Sequence, residues 1–147
     1  MVNIMESIIE QCKRKYFELG PSKIHGVGLI AIRAIPKDTF LFEDPIKSEF
    51  IPYEVLYSNG VQKGVIKSLN KHFAHTTEGI ELPSNINYIQ YVNFINHSKN
   101  HNTRCISDEY SNKYYTNRRI KKGEELCINY LEDDYCPSCL DFKDKSY

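Results

Sequence analysis

Seven consecutive residues, Asn96-His97-Ser98-Lys99-Asn100-His101-Asn102, follow the apolar run Tyr91-Val92-Asn93-Phe94-Ile95 and carry five side-chain amides and imidazoles. Burying such a cluster is costly unless each group finds a partner. One chemistry these residue types allow is a nucleophile, Cys105 or Ser98, activated by His97 or His101; no third orienting residue stands at a recognised spacing. Another is a metal held by His97 and His101 at i, i+4. That needs a helix, and an Asn-rich stretch is a poor helix former. Taken alone, the segment reads best as a polar turn, where Asn tolerates left-handed backbone.

Upstream, His25-Gly26-Val27-Gly28-Leu29-Ile30-Ala31 contains Gly-x-Gly-x-x-Ala, the pattern of a dinucleotide fingerprint. That fingerprint requires a strand before it, a long helix after it and a parallel sheet around it. Only Lys23-Ile24 precedes it, Pro36 interrupts any following helix, and the continuation has strand composition, so the dinucleotide reading is rejected. What survives is that two glycines permit a tight turn and a close approach of backbone to a ligand; a glycine hairpin with no ligand fits equally. Downstream, residues Arg119 to Tyr130 read as a turn feeding a strand that ends in a tyrosine. Cys136-Pro137-Ser138-Cys139 is the one recognisable pair among five cysteines, and supplies half of a four-ligand metal set.

The elements that must position these groups follow from periodicity. Asn3 to Phe17 places Ile4, Met5, Ile8, Ile9, Cys12 and Tyr16 at helical intervals, which predicts an amphipathic helix stopped by Gly20-Pro21. From Val27 onward the chain turns to β-branched and aromatic runs: VGLIAIRAI, TFLFE, SEFI, TRCIS, YYTN and ELCINY. Pro36-Lys37-Asp38, Ser107 to Lys113 and Lys121-Lys122-Gly123 are the turns between them. Gln62 to Phe73 and Ile86 to Ile95 suit a helical turn as well as a strand, and Ser58 to Glu81 is the expected mobile insertion.

At 147 residues the chain fits one domain. Nineteen basic and nineteen acidic residues cancel, so bulk charge recruits neither nucleic acid nor an anionic membrane, and no direct partner of either kind is expected. A composition 41% hydrophobic and 26% charged is that of a folded protein. No apolar run approaches the ~20 residues of a membrane span, and Glu6 and Glu10 break up any signal-peptide core. The expected location is intracellular, where cysteines stay reduced.

The order of the three motifs carries more than any one of them. IHGVGLIAIRAIPKDTFLFE, then NFINHSKNHN, then RRIKKGEELCINY resembles the SET-domain family of protein lysine methyltransferases, over roughly residues 22 to 135. The resemblance implies a mostly β fold of several small sheets with short helices and a pseudoknot-like threading of the C-terminal tyrosine segment, here joined to an N-terminal amphipathic helix. The implied organisation is a helical extension at 1–20, a SET domain at 21–135 with a variable insertion near 50–87, and a short tail at 136–147 bearing the Cys pair. Where many members have Cys after Asn-His-Ser this chain has Lys99, and His101 replaces a proline. With the later post-SET cysteines also missing, zinc is not expected, and Cys136 and Cys139 are only weak metal candidates. The chain looks like a compact stand-alone member, similar to minimal viral ones.

The resemblance also assigns roles. The cofactor is S-adenosylmethionine, contacted by Gly26, Val27, Gly28, Asn96 and His97; His97 suits equally a satisfied histidine bracing the threaded segment. Tyr130 is the implied catalytic residue, orienting the amine and the methyl group. Ile128 and Tyr135 are the implied walls of the substrate channel; Ile128, without a hydroxyl, leans toward di- or trimethylation. The partner is a lysine-bearing protein or peptide, a histone tail first, bound as an added strand. Location follows substrate: the nucleus of this or a host cell for a histone, the cytoplasm otherwise. The N-terminal helix suits packing on the domain, covering a groove or a homodimer seam. The alternative to an enzyme is a catalytically silent SET module that binds a partner.

Overall fold

The computed structural model describes residues 3–45, 48–87 and 89–131. Its first element is α1 (Ile4–Lys13), whose N-cap Asn3 accepts from the Met5 amide through its side chain at 3.0 Å. The helix is shorter than the apolar spacing predicts. It stops at Lys13 because Phe17, the expected last helical residue, instead opens strand β1 (Phe17–Pro21), which pairs antiparallel with β2 (Val27–Ala31), from Phe17 opposite Ala31 to Pro21 opposite Val27. Sheet pairing has overridden the 3.6-residue periodicity. Among the described residues nothing covers the apolar face of α1, and Ile4, Met5, Ile8 and Ile9 stay exposed.

The predicted strands appear in order, β3 (Phe40–Pro45), β4 (Ser48–Pro52), β7 (Thr103–Ser107), β8 (Ser111–Thr116) and β9 (Glu125–Ile128), and two more form where none was expected: β5 (Gly79–Pro83), reaching into the expected mobile insertion, and β6 (Asn96–His97), in the expected polar turn. They make three small sheets, ordered β1-β2-β9-β6, β3-β8-β7 and β4-β5. Two turns fall at the anticipated residues, where Asp38 and Gly123 adopt positive φ, at 61° and 88°; the third is shorter than the expected Ser107 to Lys113, because Ser107 pairs with Asn112 and Ile106 with Lys113 in the β7–β8 ladder. The two ambiguous stretches resolve as helix: α3 (Lys63–Leu69), which follows α2 (Tyr53–Ser58), and a single 3-10 turn at Tyr91–Phe94.

Alternation along the strands builds the main core. Phe17, Leu29, Ala31, Leu126 and Ile128 point inward with Ile95, Ile120 and Tyr114, all at 2% exposure or less. The middle segment has a second cluster of its own, Phe73, Ile80 and Leu82 beneath Ile51, Tyr53, Leu56 and Leu69. No helix among the described residues is long and apolar enough to cross a membrane.

The strand that carries Tyr130 to its place is held on both sides. β9 runs antiparallel to β2 and parallel to β6, with Asn96 opposite Cys127 and His97 opposite Ile128. Because β6 is only two residues long, the loop after it takes over the ladder. Ser98 N donates to Ile128 O at 2.9 Å, and Asn102 Nδ2 donates to Glu125 O at 2.8 Å while its Oδ1 accepts from Cys127 N at 2.9 Å. Asn102 thus acts as a side-chain substitute for strand backbone, and its burial is satisfied.

Candidate active site

Glu125, the second glutamate of Gly-Glu-Glu-Leu, joins the three motifs. Its carboxylate accepts from Asn96 Nδ2 at 2.7 Å and from Ser22 Oγ at 2.8 and 2.9 Å. Asn96 Nδ2 also lies 3.1 Å from Ser22 Oγ, 3.2 Å from His25 O and 3.3 Å from Val27 O. Ser22 Oγ in turn accepts from the amides of Ile24 and His25, closing the β1–β2 turn. Gly28 is the position that makes room: a Cβ there would collide with Glu125 Oε1. Gly26 holds φ at 53°, in the region that favours glycine. The sequence reading missed Ser22 and Glu125. A polar residue inside an alternating strand was the available signal, but its partners lie 29 and 103 positions away.

The second motif positions the tyrosine. His97 is buried at 4% exposure, its Nδ1 accepts from Tyr130 N at 3.1 Å, and the two rings lie 5.3 Å apart. The Tyr130 hydroxyl donates to Ile95 O at 2.6 Å. Backbone and side chain of Tyr130 are therefore each fixed by an immediate neighbour of Asn96, His97 and Ile95 respectively, and the phenol has one orientation.

Tyr130 reaches a pocket of about 190 Å³ that it shares with His25 and Asn96, with Val92 and Asn93 of the 3-10 turn, and with residues Lys71 to His75 from the middle segment. Of the site residues expected from the sequence, Asn96 and Tyr130 line this pocket, and His25, outside that expectation, joins them. Gly26, in the β1–β2 turn, and Val27 and Gly28, which open β2, are not among its lining residues; His97 packs against Tyr130, and Ile128 is fully buried in the main core. Tyr135, Cys136 and Cys139 lie outside the described residues. Among the described residues no group of three or more His, Cys, Asp or Glu is placed to hold a metal ion.

Of the two nucleophile candidates, Ser98 follows β6 and its Oγ accepts from Asn100 N at 3.1 Å. Cys105 is buried in β7, with Ser107 Oγ 3.9 Å from its sulfur. Burial, reinforced by the Glu125 charge, pushes the Cys127 thiol up to about 12, which removes its thiolate at neutral pH.

A family model of the SET domain matches residues 26–131. No curated protein matches the chain. Among solved structures, a Plasmodium falciparum protein assigned as a histone methyltransferase aligns at 19% identity over 83% of this chain and 98% of its own, with a TM-score of 0.51, a likeness of fold. A humanized mutant of the Chaetomium thermophilum Polycomb Repressive Complex 2, bound to an inhibitor, aligns at 27% identity over 81% of this chain with a TM-score of 0.52. That complex in an autoinhibited conformation bound to S-adenosylmethionine gives 27% identity, 81% coverage and a TM-score of 0.54. In both, the match spans 15% of the larger chain.

Proposed function

The chain belongs to the SET-domain family, and from that membership we propose that it is an S-adenosylmethionine-dependent methyltransferase acting on the ε-amine of a protein lysine. The observation that carries this reading is the convergence of His25, Asn96 and Tyr130, from three separate motifs, on one pocket. S-Adenosylmethionine supplies an electrophilic methyl group when bound. The lining suits such a molecule: Lys71 offers an ammonium to a carboxylate, His25, Asn93 and Asn96 offer polar edges, and Phe73, Ala74 and Val92 offer apolar contact. A Cβ added at Gly26 would meet nothing within 4 Å, so the loop leaves space there.

The amine that attacks must be neutral. At pH 7 an unperturbed lysine, with pKa ~10.4, is neutral in roughly one part in 2500, a cost of about 4.6 kcal/mol. Apolar walls lower that cost by disfavouring the ammonium, which is the part Phe73, Ala74 and Val92 play beside Tyr130. Tyr130 contributes orientation: with its hydroxyl donated to Ile95 O, its oxygen is a fixed dipole beside the amine and the transferring methyl. His97 keeps that geometry by holding the Tyr130 amide.

A histone tail is the proposed substrate, since the similar Plasmodium chain is assigned to histones; action on histones would place the chain in a nucleus. The test is methyl transfer from radiolabelled S-adenosylmethionine to core histones, with Tyr130→Phe beside the wild type. The expected result is label on a histone band that falls by about 10²-fold or more in the variant, the usual cost of one transition-state hydrogen-bonding group. Undiminished label in Tyr130→Phe removes the residue from the reaction. Cofactor binding without label on any histone moves the proposal to other proteins, or to a silent binding module if those stay unlabelled too.

A further inference from the structure

Between α1 and β1 the side chain of Lys15 lies across aromatic rings. Its ammonium is 4.3 Å from the Phe17 ring centre and 4.2 Å from that of Tyr91, and it donates to Tyr91 Oη at 2.7 Å. The two rings meet edge to face, 4.8 Å apart at 80°, and Phe42 backs both at 5.6 and 6.0 Å. Two near-perpendicular ring faces and a hydroxyl form a cage for an alkylammonium, the arrangement that recognises quaternary ammonium groups and methylated lysine. The cage opens to solvent on the Tyr91 side, where that ring is 38% exposed, while Phe17, at 2%, lies covered beneath the half-buried Lys15.

Phe42 and Tyr91 also form one wall of an open groove of about 490 Å³, continued by Leu19, Ile89 and Phe94. Among the described residues lining it, Glu43 is the one that carries charge. The cage therefore runs into an apolar trough with a carboxylate beside it, a surface complementary to a cationic side chain on a partly apolar backbone. The 3-10 turn Tyr91–Phe94 separates this groove from the Tyr130 pocket, which takes Val92 and Asn93 instead.

We propose that the cage and groove form a second binding site, distinct from the transfer pocket, for a methylated lysine on an extended peptide, and that Lys15 is the resident ammonium which such a ligand displaces. Lys15 competes from a short tether, so its local concentration is high and an unmethylated lysine replaces it only like for like. Methyl groups change that balance. They keep the charge, reduce the hydration that an ammonium must give up, and bring C–H groups onto the ring faces. Release of Lys15 does not free the chain on either side, because Arg33 donates to Lys13 O at 2.6 Å and lies 4.2 Å over the Tyr16 ring. The site needs no cofactor and no transfer step, so its failure would leave the reading of Tyr130 untouched.

Calorimetric titration of the full chain with a short peptide carrying one trimethyl-lysine, and with its unmethylated twin, tests this. Lys15→Gln empties the cage while leaving its rings. The variant should bind the trimethylated peptide about tenfold more tightly than the wild type does, equivalent to about 1.4 kcal/mol, and prefer it over the unmethylated twin. Adding Tyr91→Ala should abolish that binding. Absence of binding to Lys15→Gln overturns the proposal, as does binding that survives Tyr91→Ala. If Tyr91→Ala does not fold, the wild type gives a second readout: tetramethylammonium chloride, against sodium chloride at equal ionic strength, should shift the ring-proton resonances of Phe17 and Tyr91. Resonances that stay in place overturn the site.

Discussion

Replacing Gly28 by alanine puts a methyl group where the Glu125 carboxylate now lies. The added Cβ would collide with Glu125 Oε1, sit 2.8 Å from its Cδ and come within 3.2 Å of Ser22 Cβ. The far end of a glutamate is flexible, so the carboxylate moves and the backbone stays. What is lost is the donation from Asn96 Nδ2 at 2.7 Å and that from Ser22 Oγ at 2.8 and 2.9 Å. Hydrogen bonds to a charged group contribute about 1.5–3 kcal/mol each, and water recovers part of that at this half-buried site, so the expected destabilisation is about 2–3 kcal/mol. Glu125→Ala loses the same bonds and should cost a similar amount. In the double variant the new methyl meets the space the glutamate vacated, so its cost should match one single variant rather than the sum. The coupling is then about 2 kcal/mol, read from urea unfolding followed by circular dichroism. Additivity of the two single changes within about 0.5 kcal/mol would refute the account in which Gly28 exists to admit Glu125.

Two further outcomes follow from the same contacts. Asn102→Ala leaves the Cys127 amide unpartnered at the inner edge of β9 and the Glu125 carbonyl with only the weak Cys127 Sγ donor at 3.8 Å, and should cost about 1–3 kcal/mol by chemical denaturation, because an orphaned buried group loses its full desolvation compensation; a cost under about 0.5 kcal/mol would show that Asn102 is not the ladder substitute. Burial, with a further push from the Glu81 charge and against the hydrogen bond from Asn112, raises the Asp44 carboxyl from 3.8 to about 6. The folded state then binds that proton more tightly than the unfolded state, so stability falls as pH rises from 3.8 to about 6 and the penalty is complete above that window. Asp44→Asn should therefore add about 1–2 kcal/mol near pH 8, the shift being discounted for solvent screening at this partly exposed carboxyl, and nothing near pH 3; equal gains at both would sink the assignment.

Much of this fold is written locally. The short β-branched runs VGLIA, TRCIS and ELCI mark three strands that the structure contains, and Lys121-Lys122-Gly123 gives its turn through the one residue able to hold φ at 88°. The order of the Gly-x-Gly, Asn-His-Ser and Gly-Glu-Glu-Leu motifs identified the family, because order along a chain needs no coordinates. Three matters were beyond local reading. Phe17 continued a helical spacing, yet it begins a strand because β2 offers a partner whose benefit exceeds that of one more exposed turn. The stretch from Gln62 to Phe73 had no decisive period, and it became helical over a small core with Ile80 and Leu82 that lie well beyond it in sequence. The roles of Asn96, His97 and Glu125 depended on contacts with Ser22, Tyr130 and one another, across 29 to 103 positions. Residue type and spacing thus determined which elements form and which family this chain joins. Which polar groups meet was decided only when β9 entered between β2 and β6, since a hydrogen bond a few ångströms long is a property of the assembled fold and not of any segment in it.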